Sequence, residues 1–210
     1  MASLARADLE SLLHTKNLDR TLTRSMPGVR SELDYASTGH ATLDARLSGG
    51  IPRGQVSELV GARSSGRTAL MLQLLAAATR RGELVALVDA LDMMDVESAA
   101  AAGIDLNRLL WIRGFVMPNP GMCRDMNQRA MVQAVRALTL VVSAGNFGLV
   151  VFDVGESPAD ALRRLPFTTW LRLQRLVDAG STACLLVGSD RLSRSPHGLS
   201  LQAAALRAAV

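Results

Sequence analysis

The chain predicts an α/β fold, a mostly parallel sheet with helices on both faces. Three observations carry this. Short apolar runs recur along it: VSELV (56–60), LVALV (84–88), LVVFD (149–153) and TACLLV (182–187). They are near-continuously apolar rather than alternating, the pattern of strands buried on both faces. Helical segments separate them, so successive strands connect by crossovers and run parallel.

The elements follow in order. Residues 2–16 read as an amphipathic helix, with Ala5, Leu9, Leu12 and Leu13 on one side and Arg6, Asp8, Glu10 and Lys16 elsewhere. Residues 17–36 read as a linker broken at Pro27-Gly28. The predicted domains are therefore 1–36, helix and linker, and 37–210, the core. Within the core, the strand at 56–60 runs into a glycine-bounded loop, 61–68. A helix over 68–80 stops at Gly82 and the strand at 84–88 follows. A helix over 92–102 ends at Gly103, and 109–112 is another strand. The helix over 127–144 places Met131, Ala134, Val135, Leu138, Val141 and Val142 on one face, with Gly145 as its C-cap. After the strand at 149–153, residues 158–179 are helical with a break at Pro166. Beyond the strand at 182–187, the tail past Leu199 adds one more strand or a short helix.

Composition narrows the function classes. At 210 residues and 49% apolar, the chain is long and apolar enough for one sizeable core and is not a disordered chain. The apolar share is mostly small side chains, with 30 Ala against 7 aromatics, which suits close helix packing better than a surface that stacks bases. No apolar run approaches the roughly 18 residues of a membrane span. MASLARADLE lacks an apolar signal core, so a cytoplasmic protein is expected. Cys123 and Cys184 match no zinc or redox spacing, and His14, His40 and His197 are dispersed, so no metal site is predicted. The net charge is +4, with 22 of the 23 basic residues Arg. A mildly basic chain is compatible with nucleic acid contact without requiring it.

The loop Gly61-Ala62-Arg63-Ser64-Ser65-Gly66-Arg67-Thr68 follows a strand and opens a helix. That is the setting in which backbone N–H groups and a helix N-terminus cradle phosphate oxygens. The candidate nucleotide-binding residues are Gly61, Ser64, Ser65, Gly66, Arg67 and Thr68, with Thr68 at the place of a magnesium-ligating hydroxyl. Arg67 stands where such a loop carries lysine. A planar guanidinium is larger and more demanding than an ammonium, so the loop is degenerate. The alternative is a vestigial loop whose Arg67 faces solvent or a neighbouring acid. Asp153, at the end of LVVFD, is either a magnesium-holding carboxylate or a strand-end cap.

Ser37-Thr38-Gly39, Leu43-Asp44, Gly49-Gly50-Ile51-Pro52-Arg53-Gly54, Glu58-Leu59 and the loop GARSSGRT together resemble the start of the RecA-family core. The likeness continues through LQLLAAATRRG, LVALVDA and AGIDLNRLLWIRG, closely over 35–114 and more loosely over 148–201. It implies a RecA-like core, and Asp95 at the position that contacts the nucleotide base. Three departures stand out. The lysine is Arg67. Leu91 takes the place of the glutamate that orients water, and Asp190 that of the glutamine that senses the γ-phosphate. The segments 155–166 and 190–198 correspond to shortened DNA-binding loops, with Arg191 and Arg194 as candidate DNA contacts.

This profile resembles the ImuA type, RecA-like accessory proteins of the mutasome. The resemblance implies a non-catalytic adaptor in SOS-induced translesion synthesis. Its implied partners are the ImuB-type Y-family polymerase homologue, itself in head-to-tail oligomers, and RecA and DNA. No cofactor is required on this reading, with ATP and magnesium as optional ligands. Ala5, Leu9, Leu12 and Leu13 would contact the next copy, as the family's N-terminal helix does, or fold back on their own domain. Two alternatives remain open: an active or slow RecA-type DNA-dependent ATPase, and an SOS cell-division inhibitor.

Overall fold

The structure, a computed structural model, describes residues 34–117, 124–178, 180–193 and 198–204. The chain divides into two compact units, 1–31 and 32–210, and all the described residues lie in the second. The predicted contact helix with Ala5, Leu9, Leu12 and Leu13, and the candidate DNA contact Arg194, lie outside the described residues.

The described elements are β1 (Tyr35–Ala36), α1 (Ala41–Arg46), β2 (Ile51–Pro52), β3 (Val56–Gly61) and α2 (Arg67–Arg80). Then come β4 (Val85–Asp89), α3 (Val96–Ala101), β5 (Leu109–Arg113), α4 (Arg124–Ala144) and β6 (Leu149–Gly155). The chain continues through α5 (Ala159–Arg163), α6 (Phe167–Asp178), β7 (Ala183–Gly188) and β8 (Ser200–Ala203). Six strands form one sheet in the order β5-β4-β6-β7-β3-β8, and every pair is parallel. The four apolar runs read from the sequence are β3, β4, β6 and β7, the strand read at 109–112 is β5, and the tail beyond Leu199 supplies β8.

Each face of the sheet is covered. On one, α4 and α6 seal Val88, Val150, Phe152 and Leu186 beneath Met131, Leu138, Trp170 and Leu173. On the other, α2 and α3 cover Leu59, Leu87, Val151 and Leu185 with Leu75, Ala76, Ala78 and Ala99. The alanines explain the composition: a helix with a methyl at the contact sits close to the sheet, so few aromatics are needed. Fully burying each leucine contributes about 1.5–3 kcal/mol.

Two local differences from the sequence reading have physical causes. The helix expected over 92–102 is only α3, because Asp89 accepts the Met94 N–H and holds 90–95 in a turn, with Asp92 at φ 58°. The segment 155–166, which the resemblance aligned with a shortened DNA-binding loop, contains α5, in keeping with the helix read over 158–179 and its break at Pro166; Ala161 of α5 is buried. Tyr35 and Ala36, read as the end of the linker, pair antiparallel with Pro52 and Ile51. Behind them, Asp44 accepts the Ser37 hydroxyl at 2.6 Å and the Thr38 N–H at 2.8 Å. Burial opposes the Asp44 charge, but these hydrogen bonds and the Arg81 charge outweigh it and hold its carboxyl below the usual range.

The strand order fixes where a site can form. From β3 the chain crosses β7 and β6 to reach β4, and β6 and β7 later fill the gap. In such sheets ligands bind beyond the carboxyl ends of the strands, where the order reverses. The loop 61–66 and Asp153 are both at those ends.

Candidate functional site

The loop between β3 and α2 has the backbone of an anion cradle. Gly66 takes φ 85°, a left-handed conformation that favours glycine, and passes the chain into the helix. Gly61 is required by close approach: a Cβ there would stand 2.5 Å from the Ser65 Oγ and 2.8 Å from the Ala203 carbonyl. Ser64 has φ 62° and is exposed, as is Thr68. Gly61, Ser64, Ser65, Gly66, Arg67 and Thr68 are thus brought together around the start of a 14-residue helix.

Arg67 is not directed to solvent. Its side chain is 8% exposed, and its Nη1 donates to the carbonyl of Gly61, the first residue of the loop. Its Nη2 lies 2.9 Å from Oε1 of Glu156, just past the end of β6. The sequence alternative of a neighbouring acid is therefore the arrangement found. The Arg67 Nε and the Ser65 Oγ are buried and lack a hydrogen-bond partner among the described residues.

Asp153 sits beside the loop on β6, in register with Asp89 of β4. One of its oxygens accepts the Gly155 N–H at 2.7 Å, so it acts as a strand-end cap as well as facing the loop. Burial pushes the Asp153 carboxyl up to about 6. The Asp89 and Glu156 carboxylates add to the push, and the Gly155 N–H and the Arg67 charge oppose it. Asp89 is itself buried and accepts the Met94 N–H.

The remaining candidates are placed apart from this cluster in role. The Asp95 carboxylate caps α3 by accepting the Ser98 N–H at 2.8 Å. Leu91 packs against the core beneath α4 and α6. Asp190 is exposed and accepts a hydrogen bond from its neighbour Ser189 at 3.4 Å. Arg191 lies on a separate groove of about 920 Å³ whose lining includes Glu58, Phe167 and Ser193.

Two carboxylates carry contacts that the sequence reading gave them no role in. Glu156 was passed over because its partner is 89 residues away. Glu58 is 5% exposed inside β3 and accepts the N–H groups of Leu192 and Ser193, which ties the segment after β7 down onto β3. A lone acid inside VSELV was the available signal for it.

Comparison with known proteins agrees with this architecture. The family model of the RecA N-terminal domain matches residues 21–153, a span that includes the loop and ends three residues before Glu156. Protein RecA of Chlorobium limicola is 31% identical over 175 residues, which cover 76% of this chain and 46% of that protein. Protein RecA of an Arthrobacter species is 33% identical over 126 residues, 60% of this chain and 32% of that protein. Protein RecA of Crocosphaera subtropica is 40% identical over 90 residues, 43% of this chain and 26% of that protein. The chain spans from about a quarter to under half of the length of these relatives.

Proposed function

Since the chain belongs to the RecA N-terminal domain family, we propose that it is a RecA-fold adaptor in the bacterial response to DNA damage that does not turn over nucleotide. The observation that carries this reading is the state of Arg67. In a working phosphate loop the cation is free for the phosphates. Here the guanidinium is buried, bound to a carbonyl of its own loop and neutralised by Glu156. Leu91 supports the reading as well, because a leucine packed against the core neither takes a proton nor orients water.

On this proposal the protein is of the ImuA type. It acts in SOS-induced translesion synthesis by binding the ImuB-type polymerase homologue, with RecA and DNA as further partners. Self-association uses the sheet edge. Among the described residues no strand pairs with the outer side of β5, and Leu110, Phe115, Met117 and Met126 are exposed on or near that strand. An unpaired edge flanked by apolar side chains is a template for a strand from another chain. The segments with Ala5, Leu9, Leu12 and Leu13, and Arg194 with Arg191, are the proposed copy contact and DNA contact.

A slow ATPase is the second reading, favoured by the exposed Thr68 and the retained Asp153. These two groups would hold a magnesium ion, which when bound neutralises phosphate charge. The buried, unpartnered Ser65 Oγ fits a phosphate ligand; the engaged Arg67 does not. Phosphate release from ATP, with and without single-stranded DNA, tests the proposal. The expected result is no turnover above the buffer blank. Turnover that disappears in Asp153→Ala establishes the hydrolase instead.

A further inference from the structure

We propose that Glu156 is a built-in phosphate mimic, whose carboxylate occupies the Arg67 guanidinium and competes with any phosphorylated ligand for the loop. The inference rests on the reading that the loop has left nucleotide turnover, and it concerns what the loop binds.

The pair is asymmetric. The Arg67 side chain is 8% exposed and the Glu156 side chain 45% exposed. Arg67 is pinned by the Gly61 carbonyl and begins α2, so it has nowhere to go. Glu156 stands past a register irregularity between Asp153 and Gly155, with Gly155 at φ 44°. It is the partner that can swing to water. A carboxylate and a phosphate present the same pair of acceptor oxygens to a guanidinium. Displacing Glu156 therefore exchanges one charge-assisted contact for another without stranding Arg67.

The surroundings are provided with donors that Glu156 does not use. The Arg67 Nε and the Ser65 Oγ are both buried and unpartnered among the described residues, and both belong to the loop. A buried donor without an acceptor is costly, because it has lost water and gained nothing in exchange. A larger anion with more oxygens satisfies donors that one carboxylate leaves over. The charge background explains why the mimic wins in the free protein. Asp153 and Asp89 lie at the same strand ends, so a multiply charged anion entering while Glu156 stays faces three carboxylates. The ligand class is a diphosphate or triphosphate group, whether free or on a nucleotide.

The experiment is a calorimetric titration of the full chain with inorganic pyrophosphate and, separately, with magnesium-ATP. Wild type, Glu156→Gln and the double variant Arg67→Ala with Glu156→Gln are compared. The expected result is at least tenfold tighter pyrophosphate binding by Glu156→Gln, abolished in the double variant. Tighter binding of ATP than of pyrophosphate identifies the nucleotide as the form preferred. Equal affinity in wild type and Glu156→Gln overturns the proposal, and so does a gain that survives without Arg67. If Glu156→Gln does not fold, Glu156→Asp replaces it, because the shorter side chain withdraws from Arg67; an unchanged affinity there overturns the proposal equally. Hydrolysis by wild type is read separately as phosphate release, so it sinks the adaptor reading and leaves the binding comparison standing.

Discussion

Arg67 at the start of α2 and Glu156 at the end of β6 meet at 2.9 Å although 89 residues separate them. The contact exists because β3 and β6 lie with only β7 between them, their carboxyl ends on the same side of the sheet. It joins the phosphate loop to the strand that carries Asp153.

The two halves of this pair differ in what their loss costs. Glu156→Ala leaves a buried guanidinium without its counter-charge, whereas Arg67→Met removes the buried charge and fills much of the same volume. Glu156 is half-exposed, so water compensates in part. The expected destabilisation is about 1–3 kcal/mol for Glu156→Ala and less for Arg67→Met. Urea unfolding of both variants measures it, and the reverse order would contradict the assigned burial.

Asp153 gives stability a distinctive pH dependence. Its carboxyl titrates at about 6 when folded, against 3.8 as the ordinary value. The folded protein therefore holds the proton where the unfolded chain has released it. Stability from this group is fully present below about pH 4 and is lost as pH rises through about 6. The largest expected effect is on the order of 3 kcal/mol. Asp44, and Glu83 just before β4, whose partial burial is outweighed by its ion pairs with Arg81 and Arg53, have lowered carboxyl values and work in the opposite sense at lower pH. The check is the difference between wild type and Asp153→Asn in urea midpoints from pH 4 to 7. The wild type should lose its relative advantage across that window, and a constant difference would refute the assignment.

Asn127 clasps the segment after β5 onto α4. Its Oδ1 accepts the Met117 N–H at 2.8 Å and its Nδ2 donates to the Met117 carbonyl at 2.9 Å, with the residue 2% exposed. Asn127→Ala removes both partners of a backbone unit. The expected cost is about 2–3 kcal/mol, with faster amide exchange at Met117. Exchange unchanged at that amide would show that the clasp holds nothing.

Leu110 reports on the β5 edge. It is 43% exposed on a strand whose outer side has no partner among the described residues. Leu110→Lys puts a charge on the edge, which blocks strand addition. Its effect on the stability of a single chain should stay within about 0.5 kcal/mol. On the self-association proposed above, light scattering is expected to show a larger mass for the wild type than for Leu110→Lys. An assembly of unchanged mass would place self-association elsewhere.

Much of the architecture was legible in the sequence because its causes are local. LVALV is apolar throughout and LVVFD at every position but one, the pattern of strands covered on both faces. The glycines at 61 and 66 marked the loop, since close approach and a left-handed turn leave no other choice. Asp92 misled the reading, because the turn at 90–95 depends on the Asp89 carboxylate reaching Met94, a contact that helix periodicity does not express.

The sequence by itself determined the α/β layering, the loop and the presence of an arginine and an aspartate at the strand ends. Only the tertiary structure decided what those side chains do. Which acid faces Arg67, and that Asp153 and Asp89 sit in register at neighbouring strand ends, follow from strand order and register. Charge interactions act through space at a few ångströms, while a sequence records only distance along the chain.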